Sequence, residues 1–409
     1  MKTNYFFLSL ATVALLFASC EADDTSEIVI NNTDNSTTTI NNGGDDTGGD
    51  DEGEEPTGEE IELAGTFSSD LTLDPINSYT LTGSLIMAPG TKLTIPAGTT
   101  IEAVAQGADV YIAISQGALI DAQGDSANPI ILTSNSATPA AGDWGGLIIL
   151  GRAPVNSTVA GATSTSEIGG LPYGGADASD YSGIIKYMRI EYSGGSADGQ
   201  SENNGFSFYG VGNGTIVDHI QAFEGKDDGV EFFGGTVNVN YLSVIGAQDD
   251  SVDWTEGFSG RLTNVYVEHF ESHDKAIEAD GFNTDIGNNS DPIYFSKPMV
   301  SNVTIIGQGN TTDTEAVRLR AGTRGIFNNI TITGFEEAFD LDGDSGDSPT
   351  GDGVVSGDLN VTDVTFTDVS VKLKNDTGVE FAEGDFIMGD GNGTGTDYAT
   401  WGAGWTRSN

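Results

Sequence analysis

Five short segments between residues 225 and 343 carry charged side chains at matching positions. In β-strands, side chains alternate between two faces, so each segment would turn apolar residues inward and a charged residue outward. The outward column reads Glu231, Asp253, Glu278, Arg318 and Asp340. The segments themselves are Asp228-Gly229-Val230-Glu231-Phe232, Asp250-Ser251-Val252-Asp253-Trp254, Lys275-Ala276-Ile277-Glu278-Ala279, Glu315-Ala316-Val317-Arg318-Leu319 and Glu337-Ala338-Phe339-Asp340-Leu341.

These carboxylates could bind a divalent cation. On adjacent parallel strands they lie about 4.8 Å apart, so their repulsion raises their pKa values unless a positive charge intervenes. Ca²⁺ suits such a set because it accepts roughly six to eight oxygen ligands in flexible geometry. The alternative is a solvated acidic face, with Lys226, Lys275 and Arg318 neutralising their neighbours. The candidate ligands are Asp227, Asp228, Glu231, Asp249, Asp250, Asp253, Asp274, Glu278 and Asp280.

A second candidate cation site is the run Asp340, Asp342 and Asp344, where acidic residues alternate before glycine turns. It is not an EF-hand, because the glycine and the final glutamate of that motif are out of place. Arg318 and Arg320 fall in the same outward columns. They could bind an acidic sugar bidentately or pair with flanking carboxylates. By analogy with polysaccharide lyases in which carboxylates hold calcium and an arginine removes a proton, they could instead serve as the base of a calcium-dependent polysaccharide lyase.

Phe233 is the aromatic residue that the alternation predicts to be exposed, where it could stack on a sugar ring. Other chemistry has little support. The chain has three histidines and one cysteine, and it lacks a Gly-x-Ser-x-Gly elbow and a His-Glu-x-x-His motif. A serine-hydrolase triad and a catalytic zinc site are therefore not expected.

The spacing of the segments indicates the fold that positions these residues. The segments begin at Asp228, Asp250, Lys275, Glu315 and Glu337, and the steps between them are nearly equal except for the one that ends at Glu315. Such a period suits one turn of a solenoid whose rungs stack into a continuous core. We therefore predict an all-β chain that forms a right-handed parallel β-helix. The asparagines that precede neighbouring strands should stack as a ladder at one turn; they are Asn240, Asn264, Asn302 and Asn329.

The predicted β-helix domain covers residues 63–409, with loop insertions near 151–183 and 282–298. The long step between Lys275 and Glu315 hides the second insertion. The first is a Gly-, Ala- and Ser-rich stretch that interrupts the strand pattern.

The N-terminal residues predict export and anchoring. Residues 1–19 combine Lys2 with an apolar run too short to span a bilayer, as a signal peptide does. The run ends in Phe17-Ala18-Ser19-Cys20, which resembles a bacterial lipobox, so we expect Cys20 to be lipidated. Residues 20–62 then form an expected disordered tether, since positions 21–62 hold 15 acidic and no basic residues.

The charge balance excludes one class of partner. The formal net charge is −47, and 47 acidic against 14 basic residues remain from residue 63 onward. Such a field repels nucleic acid and attracts cations, so no nucleic-acid partner is expected.

The chain resembles a family of β-helical surface lipoproteins of Bacteroidota, some of which carry a transporter label. The resemblance rests on the motifs Asp143-Trp144-Gly145-Gly146-Leu147, Asp227-Asp228-Gly229-Val230-Glu231-Phe232, Gly257-Phe258-Ser259-Gly260 and Trp401-Gly402-Ala403-Gly404-Trp405. It implies a lipid anchor in the outer membrane and exposure at the cell surface. It implies little about chemistry.

Three functions follow as expectations. The first is a binding or accessory module for an extracellular ligand, a glycan in particular, beside an outer-membrane uptake receptor. The second is a calcium-dependent polysaccharide lyase, and the third is a structural or adhesive surface protein.

Overall fold

The computed structural model describes residues 58–159, 161–198, 201–271, 273–284, 292–343 and 350–408. The predicted signal peptide of residues 1–19, Cys20, residues 20–57 of the predicted tether and Asp344 lie outside this described part of the chain. The tether was predicted to run to residue 62, but a strand already begins at Glu60. No helix in it is long and apolar enough to cross a membrane.

The described residues are almost entirely strands and turns. In chain order the elements are β1 Glu60–Phe67, β2 Leu71–Thr72, β3 Ser78–Met87, β4 Lys92–Pro96, β5 Thr100–Ala103, β6 Ile112–Ile114, β7 Leu119–Gln123, β8 Ile130–Ser134, β9 Leu147–Leu150, β10 Ser164–Thr165, β11 Pro172–Tyr173, β12 Gly183–Glu191, β13 Ser196–Asp198, β14 Ser201–Glu202, β15 Phe206–Tyr209, β16 Ile216–Phe223, β17 Val230–Phe233, β18 Asn238–Ile245, β19 Val252–Thr255, β20 Arg261–Glu268, β21 Ile277–Asp280, β22 Met299–Ile306, β23 Glu315–Arg320, β24 Gly325–Leu341, α1 Gly351–Ser356, β25 Leu359–Asn375, α2 Glu383–Phe386, β26 Ile387–Asp390 and α3 Tyr398–Trp401.

Twenty-two of these strands form one sheet, in which each pairing is parallel. A strand pairs with the strand one coil later, as β17 does with β19 and β19 with β21. The sheet therefore winds into stacked rungs. The predicted all-β class and parallel β-helix are confirmed.

Seven rungs, those that contain β12, β16, β18, β20, β22, β24 and β25, have a corner where the backbone takes a left-handed conformation. Asn and Asp tolerate this conformation better than other residues that carry a side chain. Where the corner residue is aromatic, ring stacking holds it instead: His219 lies 4.2 Å from Tyr187 and 4.1 Å from Tyr241 between ring centroids. The corner residues, with φ between 48° and 59°, are Tyr187, His219, Tyr241, Asn264, Asn302, Asn329 and Asp363.

The predicted asparagine ladder is confirmed along this corner. Asn264 donates to Asn240 at 3.0 Å, Asn302 to Asn264 at 3.1 Å, and Asn329 to Asn302 at 2.9 Å. Asn240 in turn donates to Asp218 at 3.0 Å. The ladder satisfies amide groups that the turns would otherwise leave without partners, so it ties successive rungs together.

The bore of the helix is apolar and aromatic. Phe232 stacks between Phe208 at 5.3 Å and Phe258 at 4.4 Å, and Trp254 is fully buried. These inward residues alternate with the charged column, so filling the bore fixes the direction in which the charged side chains point.

The C-terminal residues 391–408 run back along the outside of one face of the helix. Tyr398 stacks on Tyr266 at 3.8 Å, and Arg407 pairs with Glu191 at 2.5 Å. Trp405 is fully buried. This segment, called the strap below, covers a face other than the one that carries the acidic column.

Candidate ligand-binding groove

A groove of about 1060 Å³ runs over the outer face of β17, β19, β21 and β23. Eleven acidic side chains line it, against three basic ones, Lys275, Arg318 and Arg320. Its formal charge is therefore strongly negative, and the groove attracts cations. The acidic lining residues are Glu167, Glu202, Asp227, Asp228, Glu231, Asp249, Asp250, Asp253, Glu256, Asp274 and Glu278.

The strand register places one charged column on the groove floor. Ser207 pairs with Glu231, Glu231 with Asp253, and Asp253 with Glu278. The column then continues through Arg318 and Asp340 to Lys374. Three consecutive rungs therefore present a carboxylate at the same position, because parallel in-register pairing aligns equivalent side chains.

A second row of carboxylates lies where the chain enters these strands. Asp228 Oδ1 accepts the backbone N–H of Asp250 at 2.9 Å, and Asp250 Oδ1 accepts that of Lys275 at 2.7 Å. Both side chains are buried, at 6% and 5% exposed. One oxygen of each carboxylate thus accepts a hydrogen bond from the next rung, and both residues line the groove.

The two rows bring carboxylate oxygens close together. Oxygens of Asp228, Glu231 and Asp253 lie within 4.8 Å of one another, and so do those of Asp250, Asp253 and Glu278. Asp253 belongs to both sets. Its Oδ1 atom is buried and has no hydrogen-bond partner in the described part of the chain. A buried carboxylate oxygen without a partner is unfavourable, so a cation or a proton is needed at this point.

The environment of the groove opposes ionisation. The pKa of Asp227 rises to about 8, first through burial and then through the charges of Glu202 and Asp249. Without a cation, the groove therefore holds protons near neutral pH, and a divalent cation would displace them. Burial, reinforced by neighbouring carboxylates, also raises the pKa well above its usual range at Asp228, Glu231, Asp250 and Asp253.

The two arginines close one end of the groove, and both are paired. Arg320 binds Glu278 at 2.5 Å and Asp280 at 2.6 Å, and Arg318 binds Asp342 at 2.5 Å. Burial opposes the charge of Arg320, but Asp280 and Glu278 raise its guanidinium pKa overall. Neither arginine is therefore suited to accept a proton as a catalytic base.

Loop residues from the connection between β9 and β12 close the opposite end. Tyr173 donates to Glu256 at 2.8 Å, and its ring packs 4.8 Å from Tyr209. Tyr209 in turn stacks on Phe233 at 3.9 Å. Asn156, from the same connection, donates to the carbonyl of Tyr294 in the later insertion at 2.8 Å. These contacts fix two loops against the helix beside the groove.

The exposure predicted for Phe233 is wrong. Its side chain points away from the bore as expected, but it is only 2% exposed. Tyr173, Tyr209, Val155 and Ile168 pack around it in one apolar cluster. Alternation along a strand assigns a face and does not reveal a loop that covers that face.

The other predicted metal ligands fall into two groups in the structure, one on the rim of the groove and one paired with arginines. Asp227 and Asp249 form a further close set with Glu202, on the rim of the groove. Asp280 is occupied by Arg320 and Asp342 by Arg318. Asp340 pairs with Lys374 at 3.1 Å, and Asp344 lies outside the described residues, so the predicted loop site of Asp340, Asp342 and Asp344 stays a prediction.

Sequence reasoning did not single out Glu167, Glu202 or Glu256, which also line the groove. None of them belongs to the five repeated segments, so the repeat gave no register for them. Glu256 directly follows β19, and its left-handed conformation, with φ of 53°, marks a turn that the pattern does not show.

Fold and site together define a parallel β-helix that carries an acidic groove on one outer face. The chain belongs to the pectate-lyase-like β-helix domain family, which matches residues 65–406. Comparison with curated proteins gives no match.

Two solved structures show a distant likeness of fold alone. One is the catalytic domain of a GH87 α-1,3-glucanase in complex with nigerose, with 12% identity and a TM-score of 0.33 over 82% of this chain and 64% of that one. The other is a variant of that domain in complex with tetrasaccharides, with 10% identity and a TM-score of 0.29 over 82% of this chain and 65% of that one. The chain spans less than two thirds of either structure.

Proposed function

We propose that this protein is a surface lipoprotein whose acidic groove captures an extracellular polysaccharide through a bound divalent cation. The observation that carries the proposal is the run of Glu231, Asp253 and Glu278 on three consecutive rungs. Among the described residues that line the groove, this run has no matching column of basic side chains, and Asp253 keeps a buried oxygen without a partner.

Calcium fits the donors present. The close sets Asp228–Glu231–Asp253 and Asp250–Asp253–Glu278 offer only carboxylate oxygens, which a hard cation prefers. Asp228 and Asp250 are already oriented by the backbone amides that they accept. Asp253 would be a ligand in both sets. Bound calcium would neutralise the groove and offer its remaining coordination sites to oxygen atoms of a ligand.

A polysaccharide is the ligand class that we favour. Membership of a pectate-lyase-like family supports it. The volume of the groove, about 1060 Å³, slightly exceeds the range of roughly 300–1,000 Å³ that is usual for small-molecule pockets, which suits a chain of sugars. An acidic polymer would enter only with the cation, because the bare carboxylates repel it.

The anchor is the second part of the proposal. Lipidation of Cys20 would hold the protein on the outer membrane, and an acidic tether that ends where β1 begins at Glu60 would let the β-helix reach outward. An outer-membrane uptake receptor is the partner that would receive a captured polysaccharide. Replacing Cys20 with Ala should move the protein from the membrane fraction to the soluble one; unchanged partitioning would refute lipidation.

The ion pairs of Arg318 and Arg320 favour capture of a polysaccharide over lyase chemistry. A lyase that uses Arg318 or Arg320 as its base needs one of them free beside the cation. Both are held by carboxylates in the structure.

The test uses the purified protein with and without calcium on a panel of neutral and acidic polysaccharides. We expect calcium-dependent retention on one polymer class, no release of unsaturated or reducing ends, and loss of retention in Asp253→Asn. Glu102→Gln, which removes an exposed carboxylate outside the groove, is the control and should leave retention unchanged. Retention that is unchanged both by chelator and by Asp253→Asn would refute the proposal. Release of unsaturated ends that is abolished by Arg318→Ala would instead show that the protein is a lyase.

A further inference from the structure

A second group of carboxylates lies on the last rungs, outside the groove lining. Glu315 at the start of β23 pairs in register with Glu337 in β24, and Asp340 lies further along β24. None of the three lines the groove. One oxygen from each lies within 4.8 Å of the other two.

One cation, Lys374, already reaches this group. Its Nζ lies 3.2 Å from Glu337 Oε2 and 3.1 Å from Asp340 Oδ2. It therefore satisfies Glu337 and one oxygen of Asp340. The nearest approach of a cation to Glu315 within the described structure is that of Arg318 Nε, at 4.0 Å, which is too long for a hydrogen bond.

Two oxygens of the group remain buried and unsatisfied. Asp340 Oδ1 and Glu315 Oε2 find no hydrogen-bond partner among the described residues. The Asp340 side chain is 2% exposed, so water does not solvate it freely. Burial raises the pKa of Asp340 and of Glu315 above the usual range. Two such acceptors left unpaired side by side are unfavourable, because each has lost its water without gaining a donor.

We propose that Glu315, Glu337 and Asp340 form a calcium site that is separate from the groove and ties the last rungs together. The ion would be bound by Glu315 and Asp340, whose Oε2 and Oδ1 atoms lack partners, together with an oxygen of Glu337. Calcium fits better than magnesium, because the site is irregular and Mg²⁺ demands near-ideal octahedral geometry. The ligands come from two successive rungs, so the ion stabilises their pairing.

Lys374 makes the proposal testable, because it competes with the ion for the same carboxylates. If calcium binds here, removal of the ammonium in Lys374→Met tightens calcium binding. If Lys374 is instead the sole counter-ion, Lys374→Met destabilises the protein equally with and without calcium.

The experiment is calorimetric titration of the purified protein with calcium chloride alone, together with thermal unfolding in calcium and in chelator. Glu315→Gln and Asp340→Asn preserve shape and remove charge. We expect each to remove one calcium ion from the stoichiometry or to weaken that ion at least about tenfold, while Asp253→Asn leaves it intact. Circular dichroism confirms that each variant is folded.

Besides equal destabilisation by Lys374→Met with and without calcium, three outcomes would overturn the site. They are a stoichiometry unchanged in both folded variants, no calcium bound by folded wild-type protein, and loss of this ion in Asp253→Asn rather than in Asp340→Asn. Because Asp253 serves only the groove, failure of this site and failure of the proposed function give different patterns.

Discussion

Replacing Asp253 with Asn should raise the free energy of unfolding in the absence of cations and reduce the stabilisation that cations give. Asp253 lies between Glu231 below and Glu278 above, and oxygens of each close set lie within 4.8 Å. The substitution keeps the shape of the side chain and removes the central charge. It therefore relieves repulsion when the groove is empty and removes a ligand when the groove is filled.

The magnitude follows from the spacing. At an effective dielectric constant of about 20, two unit charges within 4.8 Å of each other repel by roughly 3.5 kcal/mol. Protonation already relieves part of this repulsion, since burial and neighbouring charges raise the pKa of Asp253. In chelator at pH 8 we therefore expect Asp253→Asn to raise the free energy of unfolding by about 1–3 kcal/mol.

The pH dependence has a definite sign. A carboxyl pKa that is raised on folding favours the folded state at low pH, and this contribution is lost as pH rises toward the folded value. For Asp227 that window runs from 3.8 to about 8. Wild-type protein in chelator should thus lose stability between these pH values, and the advantage of Asp253→Asn should disappear near pH 4.

The assay is urea unfolding followed by the fluorescence of the buried tryptophans, in chelator and in calcium. At calcium about one hundred times its dissociation constant, wild-type protein gains about 2.7 kcal/mol for each site, and Asp253→Asn gains less. Asp109→Asn, at an exposed position outside the groove, is the control. A variant that is less stable than wild type in chelator at pH 8 would refute the reasoning.

Three further predictions concern the elements that position the groove. Tyr173→Phe should lower stability by about 1–3 kcal/mol, because Glu256 loses a buried donor, and hydrogen exchange should rise in residues 164–173; exchange unchanged there would argue against this contact. Asn302→Ala should also lower stability by about 1–3 kcal/mol by breaking the asparagine ladder, whereas the exposed neighbour Asn328→Ala should change it little; equal effects would contradict the ladder. Trp405→Ala should release the strap at a cost of about 3–5 kcal/mol and open residues 391–408 to limited proteolysis, and a strap that stays protected would show that Trp405 does not hold it.

Much of the fold was predictable because it follows from the sequence repeat. The spacing of equivalent segments indicates a solenoid, and alternation within each segment separates Val230 and Val252 in the bore from Glu231 and Asp253 outside it. The asparagine ladder was predictable for the same reason. Each of these features depends on residues one rung apart, and the period of the repeat identifies which residues those are.

What escaped prediction depends on contacts between distant parts of the chain. Phe233 is buried by the loop that carries Val155, Ile168 and Tyr173, far earlier in the sequence. The strap likewise returns over early rungs, where its Arg407 meets Glu191. No period links these segments. Pairing of the arginines with flanking carboxylates was one of the sequence-based expectations, but the choice of Asp342 as the partner of Arg318 depends on side-chain torsions that the register leaves open.

The two halves of the charged column differ in how their charges are arranged and paired. Parallel in-register stacking brings like charges together unless the sequence alternates them. On the upper rungs it does alternate, since Arg318, Asp340 and Lys374 follow one another and pair with their neighbours. On the lower rungs the same column runs Glu231, Asp253 and Glu278, and its only pairing with a basic side chain in the described structure is at its upper end, where Glu278 meets Lys275, Arg318 and Arg320. The fold accommodates an arginine or a lysine at this position on the upper rungs, so the register does not dictate the acidic run, and the cation binding proposed above would offset its repulsion.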